Sequence, residues 1–292
     1  MPSADAFTGS DELPPFRVAE HRLLGGAPPV LQDPTDHWTP GRTIVPRFLL
    51  FHYTVIDFDA TRRAFKNRAV AASAHLVVAR DGRVAQMVAF DRRAWHAGES
   101  RWGDLTDLNS HAIGIEMENH GYLERRGGGQ LQSVNGDKVK DEDAVEARHR
   151  HPRWPARWWQ AYTPAQIEVA QALARALANA YPIEDVLGHD DVAPERKADP
   201  GPAFPLDLVQ AAAFGREDPA GPAGGRAIRI VSVPWLNMRR GPGAGFALEG
   251  PPLAAGTRVQ TLSASGAWSL VRPLGALTRV AWVHGSYLRP PP

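Results

Sequence analysis

Apolar and polar positions along the chain predict several buried strands. The run Pro46 to Tyr53 is almost wholly apolar, which is typical of a buried strand. Ala74 to Ala79 and Val84 to Val88 are two apolar runs separated by a turn that contains Asp-Gly, and this arrangement predicts a hairpin. Ile113 to Glu118 alternates apolar and polar residues, which predicts a strand with one polar face.

The clearest helical pattern runs from Thr163 to Tyr181. Thr163 suits the N-cap, Pro164 suits the first helical position, and Gln166 completes a capping box. Its apolar residues recur at helical spacing and predict a core-facing stripe: Ile167, Ala170, Leu173, Ala174 and Leu177.

Two shorter helices are predicted at Asp59 to Arg68, with Asp59 as N-cap, and at Pro205 to Phe214. Together with the strands they predict an α/β fold, a mixed central β-sheet flanked by helices. A small all-β barrel is expected at the C-terminus, where short strands follow one another closely.

Changes in composition divide the chain. Residues 1–45 are rich in Pro, Asp and Gly and predict an irregular arm, and residues 46–215 form the main domain. Within it, residues 122–162 are an insertion, interpreted as a solvated excursion anchored by its tryptophans or as a lid beside the site. Residues 216–226 read as a linker and residues 227–292 as the all-β domain.

Composition narrows the classes of function. The chain has 292 residues, enough for two domains, and a formal net charge of +1, which does not favour nucleic acid as a partner. No apolar run reaches the length of a membrane span, and a monomer is expected. The absence of cysteine excludes disulfides and thiolate ligands, and the acidic N-terminus lacks the pattern of a signal peptide.

The candidate chemistry lies mainly in one stiff loop, Gly188 to Pro205, where three prolines within Pro194 to Pro202 disfavour a regular helix. The loop carries His189 and Asp199, and His52 ends the first apolar run. Alone, each of these residues is more often a core histidine or part of a surface turn. Together, two imidazoles and one carboxylate form a set that catalytic zinc uses while keeping a position for water.

Five blocks of sequence resemble the zinc-dependent N-acetylmuramoyl-L-alanine amidases of the type-2 amidase and peptidoglycan-recognition superfamily, in particular the branch of anhydromuramyl-peptide amidases. They occur in the family's order over about residues 46–215, and they are FHYT (Phe51 to Thr54), SAHLVVARDGRVAQMV (Ser73 to Val88), FDRRAWHAG (Phe90 to Gly98), IGIEMEN (Ile113 to Asn119) and GHDDVAPERKADPGPAF (Gly188 to Phe204). The tail, including LNMRRGPG (Leu236 to Gly243), resembles a bacterial SH3-like domain.

The resemblance implies roles for individual residues. One Zn²⁺ per chain would be held by His52, His189 and Asp199. Glu116 would move the proton of the attacking water, and Lys197 would stabilise the oxyanion.

Further residues lie in the same blocks. Tyr53, Trp95 and His96 are candidate substrate contacts, and His75 is a candidate buried group behind the ligands. Asp190 and Asp191 are expected to cap the loop and orient His189. The pair His149 and His151, in the charged insertion, is expected on a solvated face.

The predicted function is hydrolysis of the amide between N-acetylmuramic acid and L-alanine of the stem peptide, with peptidoglycan or muropeptides as partners. A recognition protein that binds peptidoglycan without catalysis, and an amidase restricted to soluble anhydromuropeptides in cell-wall recycling, are the alternatives. The expected place of action is the cell wall or periplasm, reached by a route that the sequence does not show, with the cytoplasm as the alternative.

Overall fold

The computed structural model describes residues 16–151, 153–214, 228–265, 267–273 and 281–290. The chain divides into two compact units, Met1–Gly215 and Arg216–Pro292. The predicted linker, residues 216–226, lies outside the described residues, as do the first fifteen residues of the predicted arm.

The strands of the first unit are, in chain order, β1 (Arg17–Ala19), β2 (Arg22–Leu24), β3 (Leu31–Gln32), β4 (Trp38–Thr43), β5 (Phe48–Tyr53), β6 (Leu76–Val78), β7 (Val84–Gln86), β8 (Arg92–Ala94), β9 (Arg101–Trp102), β10 (Leu105–Thr106), β11 (Ala112–Met117), β12 (Tyr122–Arg126), β13 (Gln130–Gln132), β14 (Lys138–Val139), β15 (Ala144–Ala147), β16 (Arg157–Gln160) and β17 (Asp185–Gly188). The helices are α1 (Phe58–Ala64), α2 (Pro164–Ala180), α3 (His189–Val192) and α4 (Leu206–Phe214), and short 3-10 turns occupy Leu108–Ser110, Gly127–Gly129 and Asp141–Asp143.

The centre of this unit is a six-stranded mixed sheet in the order β17-β5-β11-β6-β7-β3. Strands β17, β5, β11 and β6 are mutually parallel, whereas β6 and β7 form the antiparallel hairpin predicted around Asp-Gly. The strand predicted from the first apolar run is β5. It is central and its residues Phe48 to His52 are buried, in keeping with its continuous apolar sequence.

Successive side chains of β5 point to opposite faces of the sheet. Leu49 and Phe51 pack in the main core with residues of α2 and α4. Phe48 and Leu50 pack on the other side, against residues such as Ala97 and Leu108. His52 lies an even number of residues from Phe48 and Leu50, so its side chain points to the same face as theirs, which α2 does not cover.

Helix α2 covers the first face and confirms the predicted helix. Thr163 accepts a hydrogen bond from the backbone N–H of Gln166, and the Gln166 side chain accepts one from Thr163, so the capping box is formed. Leu173 and Leu177 are fully buried in the main core. The N-cap of α1 is Asp57 rather than the predicted Asp59, because the helix begins earlier and the Asp57 carboxylate accepts from the N–H of Ala60.

The segment 16–45 is more regular than the predicted irregular arm. Strand β3 joins the edge of the central sheet beside β7, and β4 pairs with β8. The buried Leu23 packs in the main core, and its backbone N–H donates to the side chain of Gln86 at 2.8 Å. Strands of two or three residues are too short to produce a periodic pattern, which explains why this sequence suggested an irregular arm.

The insertion, residues 122–162, folds into a five-stranded antiparallel sheet in the order β14-β13-β12-β16-β15. Its small core contains Leu123, Leu131 and Val139, with Trp158 packed against it. The segment is therefore more regular than the predicted solvated excursion, although many of its residues are exposed and Trp159 is buried, in keeping with the predicted anchoring by tryptophans. The few apolar residues are far apart in sequence and meet only through strand pairing.

The second unit is all-β in its described residues. Its strands are β18 (Ile228–Val231), β19 (Trp235–Leu236), β20 (Leu253–Ala254), β21 (Arg258–Ser265), β22 (Trp268–Pro273), β23 (Ala281–His284) and β24 (Leu288–Arg289), with a 3-10 turn at Gly285–Tyr287. They form a five-stranded sheet, β23-β22-β21-β18-β24, and the pair β19-β20. Within the described part of the chain, no helix has both the length and the apolar character needed to cross a bilayer.

Replacing Leu173 by Ala tests the packing of α2 on the sheet. Because Leu173 is fully buried, we expect the free energy of unfolding to fall by about 2–5 kcal/mol, measured by urea denaturation. Arg175→Ala, an exposed position on the same helix, is the control and should change stability by less than about 0.5 kcal/mol. Similar losses for the two variants would contradict the assigned helix face.

Candidate active site

Three neighbouring parallel strands bring the candidate residues to one edge of the sheet. His52 lies near the carboxyl end of β5, and Glu116 lies directly opposite it in register on β11. On the other side of β5, strand β17 ends at Gly188 and His189 follows at once. Carboxyl ends of parallel strands form a common crevice, which is where ligands bind in open α/β sheets.

Asp199 returns to this edge because the loop after β17 folds back on itself. The backbone N–H of Gly188 donates to the Asp191 carboxylate at 2.8 Å, which holds the start of the short helix α3. The backbone N–H of Asp190 donates to the carbonyl of Asp199 at 2.8 Å. This single bond closes the loop and places the side chains of His189 and Asp199 next to each other.

His52, His189 and Asp199 form a buried cluster that could hold a metal ion. His52 Nδ1 lies 2.9 Å from His189 Nδ1 and 3.1 Å from Asp199 Oδ2. His189 Nδ1 is 2.9 Å from the same carboxylate oxygen. The exposed fractions of the residues are 2%, 2% and 7%, so water is largely excluded from the cluster.

The chemistry of these atoms fits a divalent cation. His189 Nε2 donates to the carbonyl of Ala97 at 2.9 Å, so Nδ1 is the ring atom that faces Asp199 Oδ2. Two acceptors at this distance need a cation or a proton between them. Ligands of a tetrahedral zinc lie about 3.3 Å apart, close to the separations seen here.

The protonation states also suit metal binding. Burial, followed by the neighbouring His189, lowers the pKa of His52 to about 4, so its imidazole is neutral at pH 7. Burial would raise the pKa of Asp199, but its interactions with His189 and His52 outweigh burial and hold that pKa below its usual value. Neutral imidazoles and an ionised carboxylate are the forms in which these side chains bind metals.

Glu116 lines the same cleft as the cluster and is the most perturbed carboxylate beside it. Burial, followed by the charge of Asp199, raises the pKa of Glu116 to about 8, although the charge of Lys197 acts in the opposite direction. Its Oε2 is buried and has no hydrogen-bond partner among the described residues. A carboxyl group with a pKa near the working pH can both take and return a proton.

Lys197 also lines the cleft and is partly buried, two residues before Asp199. Its positive charge lowers the pKa of both Glu116 and His52, so Lys197 lies close enough to influence the charge of both groups.

His75 and His96 lie behind the cluster and are both buried. The Nε2–H of His75 donates to the carbonyl of Arg92, and its Nδ1 accepts from the N–H of Gly114, so this ring is fully bonded. Burial lowers the pKa of His75 to about 4. His96 Nδ1 is 3.2 Å from His52 Nε2, while its Nε2 has no partner among the described residues.

The cleft in front of the cluster has a volume of about 430 Å³. Tyr53, Trp95 and His96, the predicted substrate contacts, all line it. So do Tyr122 and Trp154, two aromatic residues of the insertion, which agrees with the alternative interpretation of the insertion as a lid beside the site. Strands β12 (YLERR) and β16 (RWWQ) carry no alternating apolar pattern, so no signal in the sequence predicted the strands themselves.

The prediction that His149 lies on a solvated face is wrong. His149 is 2% exposed, and its Nε2 lies 2.9 Å from Asp190 Oδ2. Arg150 also pairs with Asp190, so this carboxylate is directed to the insertion and not to the ring of His189. Asp191 caps α3 as predicted.

The raised pKa of Glu116 predicts how stability depends on pH in chelator-treated protein. In the unfolded chain this carboxyl ionises near its ordinary value of 4.5, whereas in the folded protein it stays protonated up to about pH 8. Unfolding therefore releases a proton in this window, and the wild type loses stability as pH rises, by at most about 1.4 kcal/mol per pH unit.

We expect Glu116→Gln to be increasingly more stable than the wild type between about pH 5 and pH 8, the two values that bracket its titration. Urea denaturation at several pH values measures this difference. A stability difference that stays constant across the window would show that Glu116 ionises normally in the fold.

Two curated relatives each match about half of the chain. Over 168 residues the chain is 32% identical to N-acetylmuramoyl-L-alanine amidase AmiD of Escherichia coli, covering 54% of this chain and 50% of AmiD. Over 134 residues it is 36% identical to 1,6-anhydro-N-acetylmuramyl-L-alanine amidase AmpD of the same species, covering 45% of this chain and 53% of AmpD. The chain thus spans about half the length of these curated relatives.

A solved structure of AmiD in complex with anhydro-N-acetylmuramic acid-L-Ala-D-gamma-Glu-L-Lys aligns with 73% of this chain and 74% of its own, at 26% identity and a TM-score of 0.45. The sequence pattern of the N-acetylmuramoyl-L-alanine amidase family matches residues 41–202, which is more than half of the chain and includes His52, Glu116, His189 and Asp199. The chain therefore belongs to the N-acetylmuramoyl-L-alanine amidase family.

Proposed function

We propose that this protein is a zinc-dependent amidase that hydrolyses the bond between the lactyl group of N-acetylmuramic acid and L-alanine of the peptidoglycan stem peptide. The observation that carries the proposal is the buried cluster of His52, His189 and Asp199 beside Glu116 in one cleft. Membership of the amidase family and the names of AmiD and AmpD support the choice of bond.

His52, His189 and Asp199 would hold the zinc, one ion per chain. When bound, zinc supplies Lewis acidity, which lowers the pKa of water and polarises an amide carbonyl. Side chains of the cleft would carry out proton transfer and stabilise the oxyanion.

Glu116 would transfer the proton. Hydrolysis forms a carbon–oxygen bond from water to the lactyl carbonyl carbon and then breaks the carbon–nitrogen bond to alanine. The proton that water loses must reach the alanine nitrogen, which leaves as an amine. The pKa of Glu116, raised to about 8, lets its carboxylate accept that proton and its carboxylic acid return it.

Lys197 would stabilise the negative oxygen that develops on the carbonyl during attack. It is a partly buried cation on the rim of the cleft, where water screens its charge less than at an exposed position. Loss of a donor to such an oxygen typically lowers kcat by about 10²–10³-fold.

The walls of the cleft suit a muropeptide. Tyr53, Trp95, Tyr122 and Trp154 offer aromatic surfaces, and such surfaces pack well against the apolar faces of sugar rings. His96 also lines the cleft, and its Nε2 is a buried atom.

Two alternatives follow from the same cleft. A recognition protein would bind peptidoglycan without cutting it, but retention of two imidazoles, a carboxylate and Glu116 favours catalysis. An enzyme that cuts only soluble anhydromuropeptides is the second alternative, and the name of AmpD supports it.

We assign the second unit to an SH3-like domain that contacts intact cell wall. The support is its all-β sheet with a buried core of small aliphatic residues, together with the sequence resemblance of the tail. This assignment favours action at the cell wall or periplasm, and a monomer remains our separate expectation. It leaves recycling in the cytoplasm as the alternative.

Digestion of purified peptidoglycan sacculi, with the masses of the products determined, tests the activity. The wild type should release stem peptides that begin with L-alanine, and chelator should abolish release. Glu116→Gln should lower the rate by at least about 10²-fold, because it keeps the size of the side chain but cannot ionise.

Glu118→Gln is the matched control, since Glu118 accepts the backbone N–H of Arg80 at 2.9 Å and glutamine keeps an acceptor there. Its rate should stay close to that of the wild type. Binding of the protein to sacculi without any released peptide, combined with no cleavage of soluble anhydromuropeptides, would support the recognition protein and refute the enzyme.

Removing residues 228–292 separates the two substrate hypotheses. If the second unit holds the enzyme on intact wall, the shortened protein should digest sacculi several-fold more slowly while its kcat/KM on soluble muropeptides is unchanged. Cleavage of soluble anhydromuropeptides alone, by both the full and the shortened protein, would refute the wall-acting version.

A further inference from the structure

The insertion supplies hydrogen bonds to the loop that carries Lys197 and Asp199. His149 Nε2 lies 2.9 Å from Asp190 Oδ2 and 3.2 Å from the carbonyl oxygen of Ala198. Its Nδ1 accepts from the backbone N–H of His151 at 3.1 Å, so the proton of the neutral ring is on Nε2. One buried N–H is thus shared by two oxygens of the loop.

These two oxygens stand next to the candidate ligands. Asp190 follows His189, and Ala198 precedes Asp199, so the His149 ring bridges the two ends of the segment between the ligands. The backbone bond from Asp190 N–H to the Asp199 carbonyl links the same two ends. The position of one ligand relative to the other therefore depends on a contact made by the insertion.

Two further insertion residues hold the chain just beyond Asp199. The hydroxyl of Tyr162 donates to the carbonyl of Pro200 at 2.9 Å. The buried Trp159 ring lies against Gly201, where a Cβ would come within 2.8 Å of the ring and where φ is +76°. His149, Trp159 and Tyr162 together fix the backbone from Ala198 to Gly201, and Trp159 also packs against the His149 ring at 5.8 Å.

We propose that His149 is a positioning residue of the metal loop, and that the insertion acts as a clamp that holds His189 and Asp199 at their mutual distance. This inference rests on the proposed metal site and extends it to residues outside the five blocks of family resemblance. Side chains that orient metal ligands from behind typically change metal affinity by about 10–100-fold when they are removed.

His151 offers a matched control. It lies two residues from His149, with ring centroids 5.4 Å apart, and its Nε2 has no hydrogen-bond partner among the described residues. It supports His149 through its backbone N–H, which an alanine retains. His151→Ala therefore removes an imidazole from the same place without removing the bond to the loop.

The test compares zinc affinity, by competition with a chromophoric chelator, for the wild type, His149→Ala, His149→Gln and His151→Ala. We expect His149→Ala to bind zinc about 10–100-fold more weakly. His149→Gln should recover part of the loss, because its amide N–H₂ can donate to both oxygens, and His151→Ala should stay within twofold of the wild type. The visible spectrum of Co²⁺-loaded protein should change only in His149→Ala.

Hydrogen exchange in metal-free protein gives a second readout. The Asp190 amide, which bonds to Asp199, should exchange at least tenfold faster in His149→Ala than in the wild type, while amides of β5 stay protected. Should His149→Ala fail to fold, Tyr162→Phe, which removes one hydroxyl, should still weaken zinc binding several-fold.

The possible failures are distinguishable. A wild type that binds no zinc would refute the proposed metal site. The clamp is tested separately, in metal-free protein, and an Asp190 amide that exchanges at the same rate in His149→Ala and in the wild type would refute it. A folded His149→Ala variant with the zinc affinity, spectrum and exchange of the wild type would overturn the clamp and leave the amidase proposal standing.

Discussion

The parallel pairing of β5 with β11 and β17 is the constraint on which the site depends. Parallel strands direct their carboxyl ends to one edge, and the register sets His52 opposite Glu116 and Gly188 opposite Phe51. A shift of one residue in either pairing would turn a polar group from the cleft into the apolar face covered by α2. The hydrophobic core and the site are therefore specified by the same register.

The sheet alone does not complete the cluster, because Asp199 lies ten residues beyond His189 on an irregular loop. Prolines stiffen this loop but cannot set the distance between its ends. That distance depends on the Asp190–Asp199 backbone bond, on the cap by Asp191 and on side chains of the insertion. The sheet positions His52, Glu116 and, through the end of β17, His189, whereas the position of Asp199 depends on contacts of the loop itself and of the insertion.

The sequence predicted the elements that local patterns define and missed those that depend on other contacts. Strand β5, the β6–β7 hairpin, β11 and α2 with its capping box were predicted, because each is defined by local periodicity or local turn chemistry. Strand β3 was not, since it pairs with a strand distant in sequence. The insertion sheet was not either, because its hairpins contain few apolar residues.

The same distinction applies to the candidate site. The cluster of His52, His189 and Asp199 was expected from residue types and family resemblance, and the structure brings all three together. The burial of His149 beside Asp190 was missed because the charged residues around it suggested a solvated face, and their partners lie forty residues away. The SH3-like nature of the tail stays a prediction.

Buried polar groups without hydrogen-bond partners at the cleft lower the stability of the folded protein unless a ligand binds them. Glu116 Oε2 and His96 Nε2 lack partners among the described residues, and two imidazole nitrogens face a carboxylate oxygen at about hydrogen-bond distance. A protein under selection for stability alone would replace such groups by apolar ones. A cation held by the cluster, as proposed above, would stabilise the folded state, since a ligand that binds only the folded state does so. The hydrogen bonds from the insertion to Ala198 and Pro200 involve no ion, so they hold the backbone on both sides of Asp199 in the metal-free protein as well.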